Sequence, residues 1–113
     1  MIIDNETKEK RKQQLEAELE RAVEELKQLP VQQIILIGSM ATDTPTALSD
    51  IDLIVIMETE DRFLDRLKVA YEKIKPAVAM DILIYTPEEF EEMSHTRPFL
   101  MHALKESKVL YAA

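Results

Sequence analysis

The stretch LIGSMATDTPTALSDIDLIV, residues 36–55, decides the fold because it joins two apolar runs through the only glycine of the chain. The run that ends at Gly38 is short and rich in β-branched residues, which indicates a strand. The run that begins at Ile51 is apolar on both faces, which is typical of a strand in the centre of a sheet. A glycine directly after a strand permits a sharp turn. Asp50 and Asp52 therefore stand at the entrance of a buried strand.

The same kind of pattern predicts alternating helices and strands on both sides of this stretch. The predicted helices cover residues 5–29, 61–75, a segment from 87 onward, and 98–106, and the predicted strands cover residues 31–38, 51–57, 78–85 and 108–112, the last as an edge strand. Residues 39–48 are ambiguous between a turn, a short helix after Ser39 and a loop. Thr86, Pro87 and Glu89 have the spacing of a capping box with proline in the first helical turn. This order predicts an α/β (α+β) fold, a small twisted mixed sheet flanked by helices.

The length and composition predict one globular domain over residues 1–113, with a long N-terminal helix in residues 1–29 and a core in residues 31–111. The chain has 46% hydrophobic and 32% charged residues, as ordinary globular proteins do. The leucines of the N-terminal helix form a stripe that predicts core contacts, and this stripe could also be a dimer or partner contact.

The charge and the missing cysteines exclude several function classes. The formal net charge of −8 repels phosphates, so we do not expect direct nucleic-acid binding. The chain contains no cysteine, which excludes disulfides, thiolate zinc sites and a cysteine nucleophile. The N-terminal residues lack a signal-peptide pattern, and no apolar stretch is long enough for a membrane span, so we expect a cytoplasmic protein.

Three aspartates on two predicted strands suggest a metal site. Asp50 and Asp52 are two residues apart, so on a strand their side chains share a face, with Cα atoms roughly 7 Å apart. Asp81 lies in a similar apolar strand, AMDILIY, which a sheet could place beside them. Carboxylates that converge in this way suit Mg²⁺, and two ions could assist phosphoryl transfer. The alternative is that Asp50 ends a turn and Asp52 faces water.

The Gly38-Ser39 pair is a candidate phosphate site. A strand that ends in glycine can expose backbone N–H groups at a sharp turn, and Ser39 adds a hydroxyl donor. A helix that starts at Ser39 would present its positive end to an anion. The pair is weak evidence alone and gains weight from its distance to Asp50 and Asp52.

Taken together, these residues resemble the Gly-Ser…Asp-x-Asp signature of the DNA polymerase beta-like nucleotidyltransferase superfamily, and most of all its minimal, single-domain branch. The residues that carry the resemblance are Gly38, Ser39, Ala41, Ser49, Asp50 and Asp52. The likeness covers about residues 31–111, includes the third acidic strand at Asp81, and is compatible with the long N-terminal helix.

The resemblance implies a Mg²⁺-dependent transfer of a nucleotide from a nucleoside triphosphate to a hydroxyl group. Gly38, Ser39 and Ser49 would bind the nucleotide, and Asp50 and Asp52 would ligate the metal. Asp81 would ligate the metal beside the attacking hydroxyl and help to remove its proton. The site would hold two Mg²⁺ ions, with ATP as the donor.

The minimal branch is typically found beside a small helical HEPN-domain protein, in pairs that resemble toxin–antitoxin modules. The resemblance therefore implies a protein adenylyltransferase whose acceptor is a partner hydroxyl, with tyrosine favoured. A non-catalytic subunit that binds a nucleotide or a partner is the alternative, and a homo-oligomer is left open.

This sequence departs from the superfamily pattern in its charges. The pattern often has arginines where Met40 and Thr42 stand, and a second glycine where Asp43 stands. Residues 38–52 contain no basic residue, so Mg²⁺ and backbone N–H groups would have to offset the charge of a triphosphate. Three basic residues follow on the helix after the second strand, Arg62, Arg66 and Lys68. One of them could reach a nucleotide phosphate, but we expect all three to be solvated.

Overall fold

Helices pack on both faces of a four-stranded sheet in the computed structural model, which describes residues 5–42 and 50–113. The helices in these ranges are α1 (Asn5–Leu26), α2 (Ser39–Thr42), α3 (Phe63–Ile74), α4 (Pro87–Thr96) and α5 (Pro98–Lys105). The strands are β1 (Val31–Ile37), β2 (Ile51–Met57), β3 (Met80–Tyr85) and β4 (Lys108–Ala112).

The sheet has the order β3-β2-β1-β4 and is mixed. β2 and β3 are parallel and are joined through α3, whereas β1 pairs antiparallel with both β2 and β4. The predicted mixed sheet with flanking helices is therefore confirmed. The central position of β2 and the edge position of β4 are confirmed as well, because an apolar strand such as β2 needs cover on both faces.

The alternation of side chains along the strands divides the core into two clusters. On one face, residues such as Ile34, Leu53 and Ile84 pack with α1 and α3. On the other face, residues such as Ile35 and Ile54 pack with α4 and α5. Burial of apolar side chains on both faces is the main stabilising contribution to a fold of this size.

α1 is fixed to the end of α3 by a polar junction. Arg21 of α1 donates to the carbonyl oxygens of Ile74 at 2.7 Å and Lys75 at 3.2 Å. The carboxylate of Glu18, which is buried, accepts from Arg21 at 2.8 Å and from the Ala77 N–H at 2.6 Å. The hydrogen bond from Arg21 lowers the pKa of Glu18, and burial opposes that shift. The junction therefore orients α1 and supplies partners for carbonyls at the end of α3.

The N-terminal helix ends earlier than predicted, at Leu26 instead of Leu29. The N–H groups of Gln28 and Leu29 bond to carbonyls three residues back, at 3.2 and 3.0 Å. This tighter pattern is common where a helix ends, and Pro30 prevents any continuation. The first turns up to Gln14 are exposed wherever they are described, in agreement with their polar sequence.

The prediction that Arg66 is solvated is wrong. Arg66 is buried and donates to the carbonyl oxygens of Asp61 at 2.8 Å and Ile84 at 3.2 Å. Its guanidinium also binds Glu89 through two contacts, at 2.6 and 3.2 Å. Glu89 belongs to the predicted capping box with Thr86, which is confirmed. Arg66 therefore links α3, the end of β3 and the start of α4.

No helix in residues 5–42 or 50–113 is both long and apolar enough to span a membrane.

Candidate active site

Asp52 and Asp81 lie directly beside each other on neighbouring strands. They are register partners in the parallel pair of β2 and β3. Partners in register point to the same face of a sheet, and adjacent strands are about 4.8 Å apart. Two negative charges so close together favour a cation between or beside them. The structure thus brings together two of the three aspartates that the sequence predicted.

Gly38 permits a close approach to Asp52. Its φ angle is +76°, in the left-handed region that glycine adopts without strain. A Cβ atom at this position would stand 2.6 Å from Oδ2 of Asp52, which is too close for real atoms. Oδ2 is itself buried. The only glycine of the chain is therefore required beside the Asp52 carboxylate, because the position needs a positive φ angle and has no room for a side chain.

Asp50 lies one residue before β2 and its carboxylate is held by other groups. Oδ2 accepts from the N–H of Ala79 at 3.2 Å and forms an ion pair with Arg11 of α1 at 2.8 Å. The N–H groups of Asp50 and Ile51 both donate to the carbonyl of Ala79, at 2.9 and 3.1 Å. These contacts direct Asp50 toward the start of β3 and toward α1.

The expected convergence of three carboxylates is therefore not formed in this structure. Among the described residues, no three Asp, Glu, His or Cys side chains are grouped closely enough to hold a metal ion. Asp50 is not part of such a group because the opposite charge of Arg11 stabilises its carboxylate in its present position. Ligation by Asp50, Asp52 and Asp81 stays a prediction.

The two serines of the predicted nucleotide site differ in what the structure describes. Ser39 begins α2 directly after Gly38, and the N–H of Ala41 donates to the carbonyl of Gly38 at 3.1 Å. The short helix that the sequence suggested after Ser39 is thus present. Ser49 lies outside the described residues.

Tyr71 of α3 reaches the outer edge of β3 beside Asp81. Its hydroxyl donates to the carbonyl of Met80 at 2.8 Å and accepts from the N–H of Ile82 at 3.2 Å. Burial raises the pKa of Tyr71, and the charges of Asp81 and Asp52 raise it further, while the Ile82 hydrogen bond opposes the change. The phenol therefore stays protonated as a donor, and it fixes the backbone on both sides of Asp81.

A cavity of about 350 Å³ opens next to the two aspartates. Its remaining lining is apolar and aromatic and includes Phe99 of α5, which is 60% exposed. Asp52, Asp81, Ile37, Leu53, Leu67, Tyr71, Ile82, Leu83 and Phe99 line it. An apolar cavity with a few convergent polar groups is the usual form of a small-molecule or side-chain site.

A family model described as a nucleotidyltransferase domain matches residues 16–111 of the chain. The chain belongs to this family. No curated protein matches it. The match confirms the resemblance stated from the sequence and supports nucleotidyl transfer as the general chemistry of the domain.

Nucleotidyltransferase domains of this family typically use a nucleoside triphosphate and a divalent metal ion. The residues of this domain fit such an ion in two respects. Carboxylate oxygens are the ligands that Mg²⁺ prefers, and Asp52 and Asp81 present them from adjacent positions. Gly38 also leaves Oδ2 of Asp52 a space that any other side chain would fill.

Two residues of this nucleotidyltransferase site were missed from the sequence. Arg11 is far from Asp50 in the sequence, and no local pattern connects the two residues. Tyr71 was predicted only as part of the helix over residues 61–75, although a tyrosine that packs on a core brings a hydroxyl group that needs a partner. This hydroxyl group was the signal in the sequence that could have identified Tyr71 as a site residue.

Proposed function

We propose that this nucleotidyltransferase domain transfers AMP from ATP to a hydroxyl group of a partner protein. The partner we propose is a small helical HEPN-type protein, with the domain acting as the antitoxin of the pair. The observation that carries the proposal is the register of Asp52 and Asp81 across β2 and β3, next to the Gly38 turn. The family match supports nucleotidyl transfer, and the partner and the donor rest on the resemblance.

Each residue has a separate role in the proposed reaction. Asp52 and Asp81 would hold Mg²⁺, joined by Asp50 once its carboxylate leaves Arg11. The bound metal would neutralise charge on the phosphates and on the attacking and leaving oxygens. Gly38 would let the backbone approach the triphosphate, and Ser39 and Ser49 would bind the nucleotide.

The bond changes follow from in-line displacement at the α-phosphorus. The acceptor oxygen forms a bond to the α-phosphorus as the bond to the bridging oxygen breaks, and pyrophosphate leaves with that electron pair. The acceptor loses its proton to Asp81, which lies on the edge strand and is exposed. Positioning and charge neutralisation account for most of the catalysis in such a reaction.

The cavity beside the aspartates supports an aromatic acceptor. Its apolar wall, which includes Leu67, Leu83 and Phe99, suits the ring of a tyrosine, while Asp81 lies in the same cavity to receive the phenolic proton. The acidic surface of the domain favours a basic protein partner over nucleic acid.

A non-catalytic, nucleotide-binding or partner-binding subunit is the second candidate, and one observation favours it. Arg11 neutralises Asp50 in this structure, so only two of the three acidic groups are adjacent. A domain that kept this arrangement would bind a partner or a nucleotide without turnover.

The test is a transfer assay with labelled ATP, Mg²⁺ and the protein encoded next to this one. We expect label on the partner, and we expect Asp52→Asn to reduce the rate by about 100-fold or more, because it removes a charged ligand of a catalytic metal. Asp65→Asn, on the exposed first turn of α3, makes the same chemical change away from the site and should keep full activity.

Two outcomes decide between the candidates. Nucleotide binding without transfer to the partner would refute catalysis and support the non-catalytic subunit. Equal labelling with Asp52→Asn and Asp65→Asn would show that Asp52 does not hold the metal. Thermal unfolding of both variants shows whether either result follows from misfolding.

A further inference from the structure

An apolar groove with an acidic rim runs between α1 and β4. It has a volume of about 450 Å³ and lies beside β4, at the opposite edge of the sheet from Asp81. Glu16, Leu19, Glu20, Val23, Glu24 and Leu110 line it. The chemistry proposed above does not use these residues.

The floor of the groove is apolar because of a bulge in β4. Ile34 pairs with Tyr111, but the next residue, Ile35, pairs with Val109, so Leu110 is an extra residue in the ladder. A bulge changes the direction of a side chain, and Leu110 lines the groove opposite α1 while 36% of its surface stays exposed. Leu19 and Val23 pack partly on the core and complete the floor.

The rim of the groove is a row of glutamates on α1. Glu16, Glu20 and Glu24 are four residues apart, so they lie on one side of the helix and cover about 12 Å along its axis. Glu24 forms an ion pair with Lys27 at 3.2 Å. Within the described ranges, Glu16 and Glu20 form no ion pair, so the row presents negative charge to whatever enters the groove.

We propose that this groove binds a helix of another protein, one with an apolar stripe flanked by Lys or Arg. The stripe would cover Leu19, Val23 and Leu110, and the basic flank would pair with Glu16 and Glu20. Helices that enter apolar grooves use this combination of anchor residues and charged flanks. The inference deepens the proposed function, because the protein docked here would be the one that carries the acceptor hydroxyl.

Charge and composition argue against a second copy of this chain as the occupant. A symmetric contact through the groove would place two glutamate rows against each other, and like charges across an interface are unfavourable. The exposed part of α1, residues 7–14, reads TKEKRKQQ and has no apolar side chain to cover the floor.

The test uses two synthetic helical peptides with the same leucine stripe, one flanked by Lys and one by Glu. Methyl NMR titrations follow Leu19, Val23 and Leu110 during binding. We expect the Lys-flanked peptide to shift these methyl signals and the Glu-flanked peptide to leave them unchanged. In the double variant Glu16→Lys/Glu20→Lys the preference should reverse, with about a tenfold or larger loss of affinity for the Lys-flanked peptide.

The matched control is Glu91→Lys/Glu92→Lys, which makes the same charge change on the exposed face of α4. It should keep the original preference. Equal loss of affinity in the control, or shifts spread over other acidic surfaces, would show attraction by net charge and would overturn the proposal. Self-association that Leu110→Glu abolishes in sedimentation would overturn it in favour of a second copy.

This test separates the groove from the active site. Asp52→Asn should reduce transfer by about 100-fold or more and leave peptide binding intact, because the two sites lie at different edges of the sheet. Loss of transfer with intact peptide binding therefore tests the proposed reaction and does not affect the proposal for the groove. Circular dichroism melting of each variant confirms folding before binding is compared.

Discussion

Gly38→Ala should damage both the stability and the activity of the domain, through two separable effects. The φ angle of +76° is unfavourable for alanine by about 1–2 kcal/mol. The added Cβ would also stand 2.6 Å from Oδ2 of Asp52, whereas ordinary contacts begin at 3.4 Å. The carboxylate must therefore move by about 0.8 Å, the difference between these two distances. We expect a total loss of stability of about 2–3 kcal/mol.

The displacement of Asp52 should reduce nucleotidyl transfer more than it reduces stability. A misplacement of about 1 Å in a catalytic group costs on the order of 100-fold in rate. The variant should therefore show at least a tenfold lower rate at a temperature where it is fully folded. Urea unfolding measures the free energy, and transfer of labelled nucleotide measures the rate.

A double-mutant cycle isolates the contact between Gly38 and Asp52. In an Asp52→Ala background the carboxylate is absent and the remaining contact is with the Cβ of residue 52 at 3.3 Å. Gly38→Ala should therefore cost little more than the φ strain of about 1–2 kcal/mol. The same cost in both backgrounds would refute the steric part of the reasoning. A wild-type rate in Gly38→Ala would refute the claim that this position sets the place of Asp52.

Two further perturbations test groups outside the aspartate pair. Arg11→Gln should change the free energy of unfolding by less than about 1 kcal/mol, because the side chains of Arg11 and Asp50 are 47% and 32% exposed. If Asp50 is a metal ligand, the same variant should raise the affinity for Mn²⁺ about fivefold in calorimetry, because it removes the competing positive charge. Lys8→Gln is the charge-matched control, and equal affinities in the two variants would exclude Asp50 from the metal site. Glu89→Gln should cost about 1–2 kcal/mol in urea unfolding at pH 7, because it weakens the pairing of buried Arg66. The hydrogen bond from Arg66 lowers the pKa of Glu89, so this contribution is present above the ordinary pKa of 4.5 and is lost as the pH falls through the lower folded value. A difference between wild type and Glu89→Gln that stays constant down to pH 3 would contradict this assignment.

The fold was predictable from the sequence wherever local chemistry decides the structure. The β2 strand has the same bounds as predicted, because an apolar run that begins among acidic residues leaves little freedom in where the strand can start. The start of α4 was predictable because Thr86 and Glu89 satisfy each other's backbone N–H groups at a fixed spacing. The confirmed parts of the prediction are those in which a few neighbouring residues carry the whole signal.

Pairings across long sequence distances were not predictable. Arg66 carries no sequence mark of burial, and its position depends on Glu89 and on a carbonyl of β3. Arg11 reaches Asp50 because α1 packs on the core and its Glu18 and Arg21 hold it against the end of α3. The counter-charge of Asp50 thus comes from a helix residue 39 positions earlier in the sequence, and ligation of a metal by Asp50 together with Asp52 and Asp81 stays a prediction.

The crossover between β2 and β3 aligns the two adjacent aspartates as well as connecting their strands. In a parallel pair, a shift of the register by one residue would turn Asp81 to the other face of the sheet and away from Asp52. Tyr71 opposes such a shift, because its hydroxyl binds the backbone of Met80 and Ile82, the two neighbours of Asp81. The helix that makes the crossover therefore also holds the third strand in place at the site. The alignment of the two carboxylates is thus fixed within the β2-α3-β3 unit and requires no second domain.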